Sequence, residues 1–449
     1  MLERIIPSSN LPGPTIWQTP ANTADFMREQ IPYMQRMQRE YGDFVHFFLG
    51  RIENWLISDP DAIHEILVTK ADKFQKDLIT HELSQLLGQG LLTAEGEMWR
   101  KHRKLAAPNL QKKQIASYAD TMSAFTLRTM DTWQHGQQLE LHHEMMHLTM
   151  EIVVKTLFNL DPSAELDAVG ESLDKAMHYF HLMTHTPWRF VPEFFPMPAR
   201  TEFQEAGKVL DAVIYDLIEK RRDAQDGDDL LLRLINARDE DGEPLSPVQL
   251  RDEVITMFLA GHETTALTVS YTWLLLMQHP EVKAKVFEEV DRVLGDHLGN
   301  DDDVRQLTYL NAVIKESMRI YPPAWIIGRD ATDDVQIGPY LVEKGTQVLV
   351  SQIIMHQRAD IWGDPENFRP ERWLEPDFER NLPRYAYMPF GGGARVCIGN
   401  HFAMMEAILI MATMAQSVDL DLKMTEPLKV QPAVTMRPIT PITVCVHRR

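Results

Sequence analysis

The sequence predicts a mainly α-helical protein with small β-sheets gathered near its two ends. From about residue 100 to 320 the apolar residues recur at helical spacing. Short alternating runs flank that body, FVHFFLG and ENWLIS near the start, VQIGPYLV, TQVLVSQI and PITVCVH toward the end. One long helix carries both of its boundary signals, Ser246-Pro247 with Gln249 at the start and His279-Pro280 at the stop. These place small β-rich regions near 40–60 and 335–353 and a helical body over 60–330 and 397–418.

Along the chain, Gly50–Arg51 marks a turn between the first two strands, and Asp59-Pro60 caps a helix from near Asp61. Two acidic stretches, RRDAQDGDD (221–229) and ARDEDGEPLSP (237–247), read as surface loops, the second being the only compositional domain boundary. There is no internal repeat. A helix starts close to Cys397.

Composition narrows the function. With 44% apolar and 24% charged residues, wholesale disorder and fibrous architectures are excluded. Length alone suggests two or three domains. No window approaches the roughly 18 apolar residues of a membrane span, and MLERIIPSSNLPGP lacks a secretory core, so the expected location is cytoplasmic. Cys397 and Cys445 are the only cysteines and lie far apart, against a disulfide framework or a cysteine-rich zinc site. A net charge of −20 argues against nucleic-acid binding. Locally the balance reverses. WRKHRKLAAPNLQKK (99–113) has Arg100, Lys101, Arg103, Lys104, Lys112 and Lys113 without one acid, a solvated helix face or a dock for something negative.

The long helix spans about 32 residues, roughly 48 Å, and its flanks are apolar. Its centre reads Ala260-Gly261-His262-Glu263-Thr264-Thr265. Threonines that bond back to carbonyls one turn earlier would explain part of this. Glycine, acid and threonine together point to a local opening of the helix beside a reaction site. Further on, Glu316 and Arg319 share a helix face, and Arg372 in FRPERW is placed to close a Glu–Arg–Arg cluster.

FGGGARVCIG (390–399) lacks the Lys-Ser/Thr of a phosphate loop and the register of a dinucleotide fingerprint. Two options remain for Cys397. One is a nucleophile with His401 one turn on, a cysteine-dependent hydrolase or transferase. The other is a thiolate metal ligand, favoured by loop amides and the following helix N-terminus and suited to haem iron.

The chain resembles the haem-thiolate monooxygenases, the cytochrome P-450 family, along essentially its whole length. FGGGARVCIG is similar to the cysteine-loop signature, AGHETT to the oxygen-activation motif, KESMR to Glu-x-x-Arg, FRPERW to the Pro-Glu-Arg segment and WRKHR to Trp-x-x-x-Arg, in the family's order. The resemblance implies the cytochrome P-450 fold in one domain, 1–449, with the long helix over haem b and the cysteine loop on the proximal side. It implies Cys397 as axial iron ligand, Phe390 beside it, Ala260 against the cofactor, and Trp99, Arg103, Arg329 and Arg395 at the propionates. Glu316, Arg319 and Arg372 become structural. Gly261 opens the helix, Thr264 stabilises dioxygen and Glu263 relays protons.

The implied activity is hydroxylation or epoxidation of an apolar molecule using dioxygen and two electrons. No fused reductase is expected, so the electrons are expected to come from NAD(P)H through a separate ferredoxin or flavodoxin and its reductase, docked near Lys101, Lys104, Lys112 and Lys113. A peroxide-driven hydroxylase of the same fold and a non-catalytic haem sensor are the alternatives. The aromatic segment 177–197 is expected over the pocket, with Leu259, Trp325, Ile326, Ile327, Thr435 and Met436 lining it. Fatty acid, terpenoid, steroid and polyketide remain open as substrates.

Overall fold

In the computed structural model, residues 11–160, 165–186, 195, 197–223, 229–238 and 242–449 are described, with 165–167, 184 and 185 as backbone only. The mixed composition expected of the fold is present: a helical body with small sheets at its ends. β1 (Phe44–Leu49) and β2 (Ile52–Ile57) form an antiparallel hairpin about Gly50, whose φ of 61° suits glycine. Asp59 then accepts the Ala62 N–H at 2.8 Å and caps the short helix Pro60–His64. β3 (Phe74–Lys76), β5 (Ile327–Ala331) and β8 (Gln347–Val350) complete a sheet of order β1-β2-β8-β5-β3. The remaining strands are β4 (Gln138–Glu140), the hairpin β6 (Val335–Ile337)–β7 (Tyr340–Val342), β9 (Val418–Leu422), the hairpin β10 (Val430–Pro432)–β11 (Met436–Pro438) and β12 (Thr443–Arg448). β12 joins β4 and β9, tying the end of the chain to the helical body.

The helices of the body that follows the first sheet strands include α1 (Gly96–Ala106), α2 (Ala119–Thr132), α3 (Leu141–Phe158), α4 (Glu165–His185), α5 (Pro198–Asp223), α6 (Pro247–Gln278), α7 (Pro280–Leu294), α8 (Thr308–Ile320) and α9 (Asn400–Ser417). Of the acidic stretch read as a loop at 221–229, residues 224–228 lie outside the described residues, and its first three are helical. α5 runs through Asp223, and buried Arg221 pairs with Asp229 at 2.6 Å. Residues 239–241 of the second stretch lie outside the described residues.

α6 is the axis of the core. Its start is a capping box, Ser246 and Gln249 each accepting the other's backbone N–H at 3.2 and 3.0 Å. It packs on α3, α8 and α9, and its side chains are buried almost throughout. The expected opening at Gly261 is absent, because the helix runs unbroken from Pro247 to Gln278. A Cβ on Gly261 would meet Val153 Cγ2 of α3 at 3.0 Å, so the glycine serves close helix approach. Thr264 and Thr268 donate to Ala260 and Thr264 carbonyls at 2.9 Å, the back-bonding that lets hydroxyls sit inside a helix.

The Glu–Arg–Arg cluster closes as expected. Arg319 grips Glu316 with two bonds of 3.0 and 2.8 Å, and Arg372 Nε reaches the same carboxylate at 3.1 Å. All three are fully buried. Trp373 and the Arg369 amide also donate to Glu316, while Arg319 spends its other N–H groups on the carbonyls of His356, Pro365 and Asn367. One carboxylate thereby pins the segment that leads to the cysteine loop.

Removing that carboxylate strands two buried cations. Glu316→Ala should cost about 3–5 kcal/mol in denaturant unfolding. Lys285→Ala, which breaks a half-exposed pair with Glu371 at 2.6 Å, should cost less than about 1 kcal/mol. Equal losses would contradict the assignment of the cluster as the fold's ionic anchor.

Candidate active site

The cysteine loop owes its shape to close packing. A Cβ on Gly393, whose φ is 67°, would lie 1.9 Å from the Leu67 carbonyl, and one on Gly392 would lie 2.3 Å from the Tyr385 ring. The glycines therefore press the loop onto its neighbours. The Cys397 N–H donates to Phe390 O at 2.9 Å and closes the loop. Cys397 lies deep in the protein, and its exposed surface opens onto a cavity of about 410 Å³ beneath α6. Burial raises its thiol pKa, with the Gly399 amide and Arg103 pulling the other way.

One edge of the cavity is crowded with cations. Arg395 donates to Ala94 O at 2.8 Å, pairs with Glu95, and stacks 4.3 Å from the Trp99 ring. Arg103 turns inward from α1 to Val396 O at 2.9 Å. Arg329 donates to Gly328 O at 2.7 Å, and Lys76 stands opposite it across the β3–β5 pair. Burial, then the charges of Arg329 and Arg395, push the Lys76 ammonium down to about 7. Burial and Arg395 bring Arg329 down to about 10. Only Glu95 and Asp77 relieve these two cations. Lys76 has no motif around it, and only the sheet register reveals its place.

Across the cavity from Cys397, α6 offers Ala260, Gly261, Glu263 and Thr264. Ala260 is exposed in the middle of an otherwise buried helix, because it faces the cavity. Glu263 is turned aside. Its carboxylate accepts from Arg437 Nε at 2.5 Å and from the Thr435 hydroxyl, and Arg437 continues to Asp174 on α4 at 3.0 Å. Burial alone would raise the Glu263 pKa, but the charge and hydrogen bonds of Arg437, with Thr435, hold it at about 2. Arg437 was invisible in the sequence, because a single arginine in the run preceding the last strand has no distinguishing spacing.

Leu259, Ile326, Ile327 and Thr435 line the cavity as expected. Trp325 and Met436 do not. The Trp325 indole is drawn to Ala433 O at 2.8 Å, and the Met436 side chain is fully buried while its carbonyl accepts from Tyr271 at 2.7 Å. In the aromatic segment Met177 reaches the cavity, whereas Tyr179 stacks on Phe203 with ring centres 4.6 Å apart. Trp188, Phe190 and Phe194 lie outside the described residues. His401 is exposed, near Lys112, and does not line the cavity, so a Cys397–His401 dyad is not assembled.

The profile of the cytochrome P450 family matches residues 7–446. The chain belongs to the cytochrome P450 family. Pentalenene oxygenase of Streptomyces avermitilis is 31% identical over 426 residues, covering 94% of this chain and 92% of the relative. Cyclooctat-9-en-7-ol 5-monooxygenase of Streptomyces melanosporofaciens is 32% identical over 84% of this chain and 82% of its own. The crystal structure of the cytochrome P450DA heme domain superposes with a TM-score of 0.87 at 26% identity, over 99% of this chain and 98% of that one.

This P450 is a monooxygenase with haem as its cofactor, and the family implies a redox partner and a small substrate. The cavity fits such a group: one thiol below, and four cations at one edge short of carboxylates, where haem would bring two. No helix among the described residues of the P450 is long and apolar enough to cross a membrane.

The Arg437–Glu263 pair has a pH signature. A carboxylate depressed to about 2 contributes stability above its unfolded pKa and loses it as pH falls toward 2. Arg437→Met should therefore be most destabilising near neutral pH, with the deficit shrinking below about pH 4.3. Denaturant unfolding at pH 7 and pH 3 checks this, and a deficit constant with pH would contradict it.

Proposed function

We propose that this P450 hydroxylates or epoxidises a neutral, carbocyclic terpenoid. The observation that carries the reading is the charge of the cavity wall. Beyond Cys397 and the cation edge, Glu263 is the only ionisable residue lining the cavity among the described residues, and Arg437 already neutralises it. The wall around it is aliphatic, including Leu91, Leu157, Met257, Leu259, Ile326 and Val434. A fatty-acid carboxylate finds no unengaged cation there, whereas a hydrocarbon or a simple alcohol fits. The printed names of the Streptomyces relatives, pentalenene oxygenase and a cyclooctat-9-en-7-ol monooxygenase, agree with that class.

Haem held on Cys397 supplies the activation of dioxygen with two electrons. We assign Phe390 to the proximal side of the cofactor and Ala260 to its distal side. Trp99, Arg103, Arg329, Arg395 and Lys76 would hold the propionates. Thr264 presents its hydroxyl to the cavity one turn after Ala260, where rotation away from the Ala260 carbonyl frees it to donate. Glu263 carries protons inward only when its bond to Arg437 opens, so Arg437 sets when the acid is available. The exposed Lys104, Lys112 and Lys113, with half-buried Lys101, are assigned to docking an acidic ferredoxin or flavodoxin. The proximity of Lys112 to His401, at the start of α9, places part of this run beside the cysteine loop.

Soret titrations decide the substrate class. Cyclic terpene hydrocarbons or alcohols should shift the haem toward high spin, and fatty acids should not. A shift with fatty acids alone would overturn the proposal. In turnover with redox partners, Thr264→Ala should keep consuming NAD(P)H while diverting it to hydrogen peroxide. Unchanged coupling would remove Thr264 from oxygen activation.

A further inference from the structure

We propose that His143 and His147 form a surface site for one divalent transition-metal ion of the zinc, nickel and copper class. Both lie on α3, four residues apart, hence on one helix face. Their Nε2 atoms converge to 3.3 Å, with ring centres 4.6 Å apart and the planes inclined at 61°. Two imidazole nitrogens each about 2.0–2.1 Å from a tetrahedral ion are held roughly 3.3–3.4 Å apart, so the observed separation is that of two ligands on one ion. The same separation is long for an N–H···N hydrogen bond, which is the competing explanation.

The clamp stands on a fixed base. Glu140 caps α3 by accepting the N–H groups of His142 and His143 at 3.1 and 2.5 Å, so the first turn is ordered before any ion arrives. Both rings are exposed, and an ion can enter without opening the fold. Among the described residues no cluster of three or more ligating side chains occurs, so these two imidazoles are the ligands the described residues supply. Glu144 and Glu151 lie on the same helix and are engaged by Trp133 at 3.0 Å and Arg128 at 2.8 Å. They add negative charge near the ion without being ligands. The site is far in sequence from Cys397 and asks nothing of the haem. Its mechanical neighbour is Thr149, less than one turn beyond His147, which donates to His262 O of α6 at 2.9 Å. An ion bridging the first two turns of α3 therefore stiffens a helix that braces the oxygen-activation segment.

The test uses tag-free, full-length holoenzyme freed of loose metal with EDTA and titrated with Ni²⁺ by calorimetry. One equivalent should bind, and both His143→Ala and His147→Ala should weaken it by about tenfold or more. His135→Ala, in a separate histidine contact with His447, should leave it unchanged. Carbon-monoxide difference spectra of all variants should match the parent, which separates lost ligands from lost fold. Parent-like binding in both histidine variants, or a loss in only one of them, would overturn the two-ligand clamp.

Discussion

Glu316 takes a negative charge into a fully buried position, where Arg319, Arg372, Trp373 and the Arg369 amide all meet it. The desolvation cost of three ions is offset only because nearly every N–H finds an oxygen. Arg319 binds the carbonyls of His356, Pro365 and Asn367, and Arg372 adds Trp362 O and Asp364. Those atoms belong to the succession of short helical turns and loops that precedes the cysteine loop. With no long helix or strand of its own, that chain is held by this network, which helps to fix the position of Cys397.

Charge is then sorted around the cavity. Cations gather at one edge, where burial and then the charge of neighbouring arginines depress Lys76 and Arg329. The thiol sits below, its pKa raised by burial. Above, the single acid is handed to Arg437 and thence to Asp174 on α4. Among the described residues, the aliphatic wall between them carries no further charge. The proposed neutral substrate and gated proton source, and the fit to a dicarboxylate cofactor, all rest on that one arrangement.

Much of this was legible in the sequence because it rests on local signals. Ser246-Pro247 and His279-Pro280 bound α6, Gly50 turns the first hairpin, and Glu316 and Arg319 pair by helix spacing. The cysteine loop, the Trp99–Arg103 segment and Thr264 all reach the same cavity. What stayed hidden depends on contacts remote in sequence. Lys76 enters through pairing with a strand more than 250 residues on, and Arg437 matters only because Glu263 meets it there. Gly261 looked like a helix opening, yet Val153 on a neighbouring helix is what requires it to be small. Trp325 and Met436 were placed in the pocket by position along the chain, but the Trp325 indole turns to Ala433 O and the Met436 side chain is buried away from the cavity, while their neighbours line it.

The most direct test is the absorbance spectrum of the reduced, carbon-monoxide-bound protein, with Cys397→Ser beside it. The account predicts a red-shifted Soret band typical of thiolate ligation in the parent and its loss in the variant. A parent without that band, or a variant that keeps it, would contradict the assignment of Cys397 as the iron ligand.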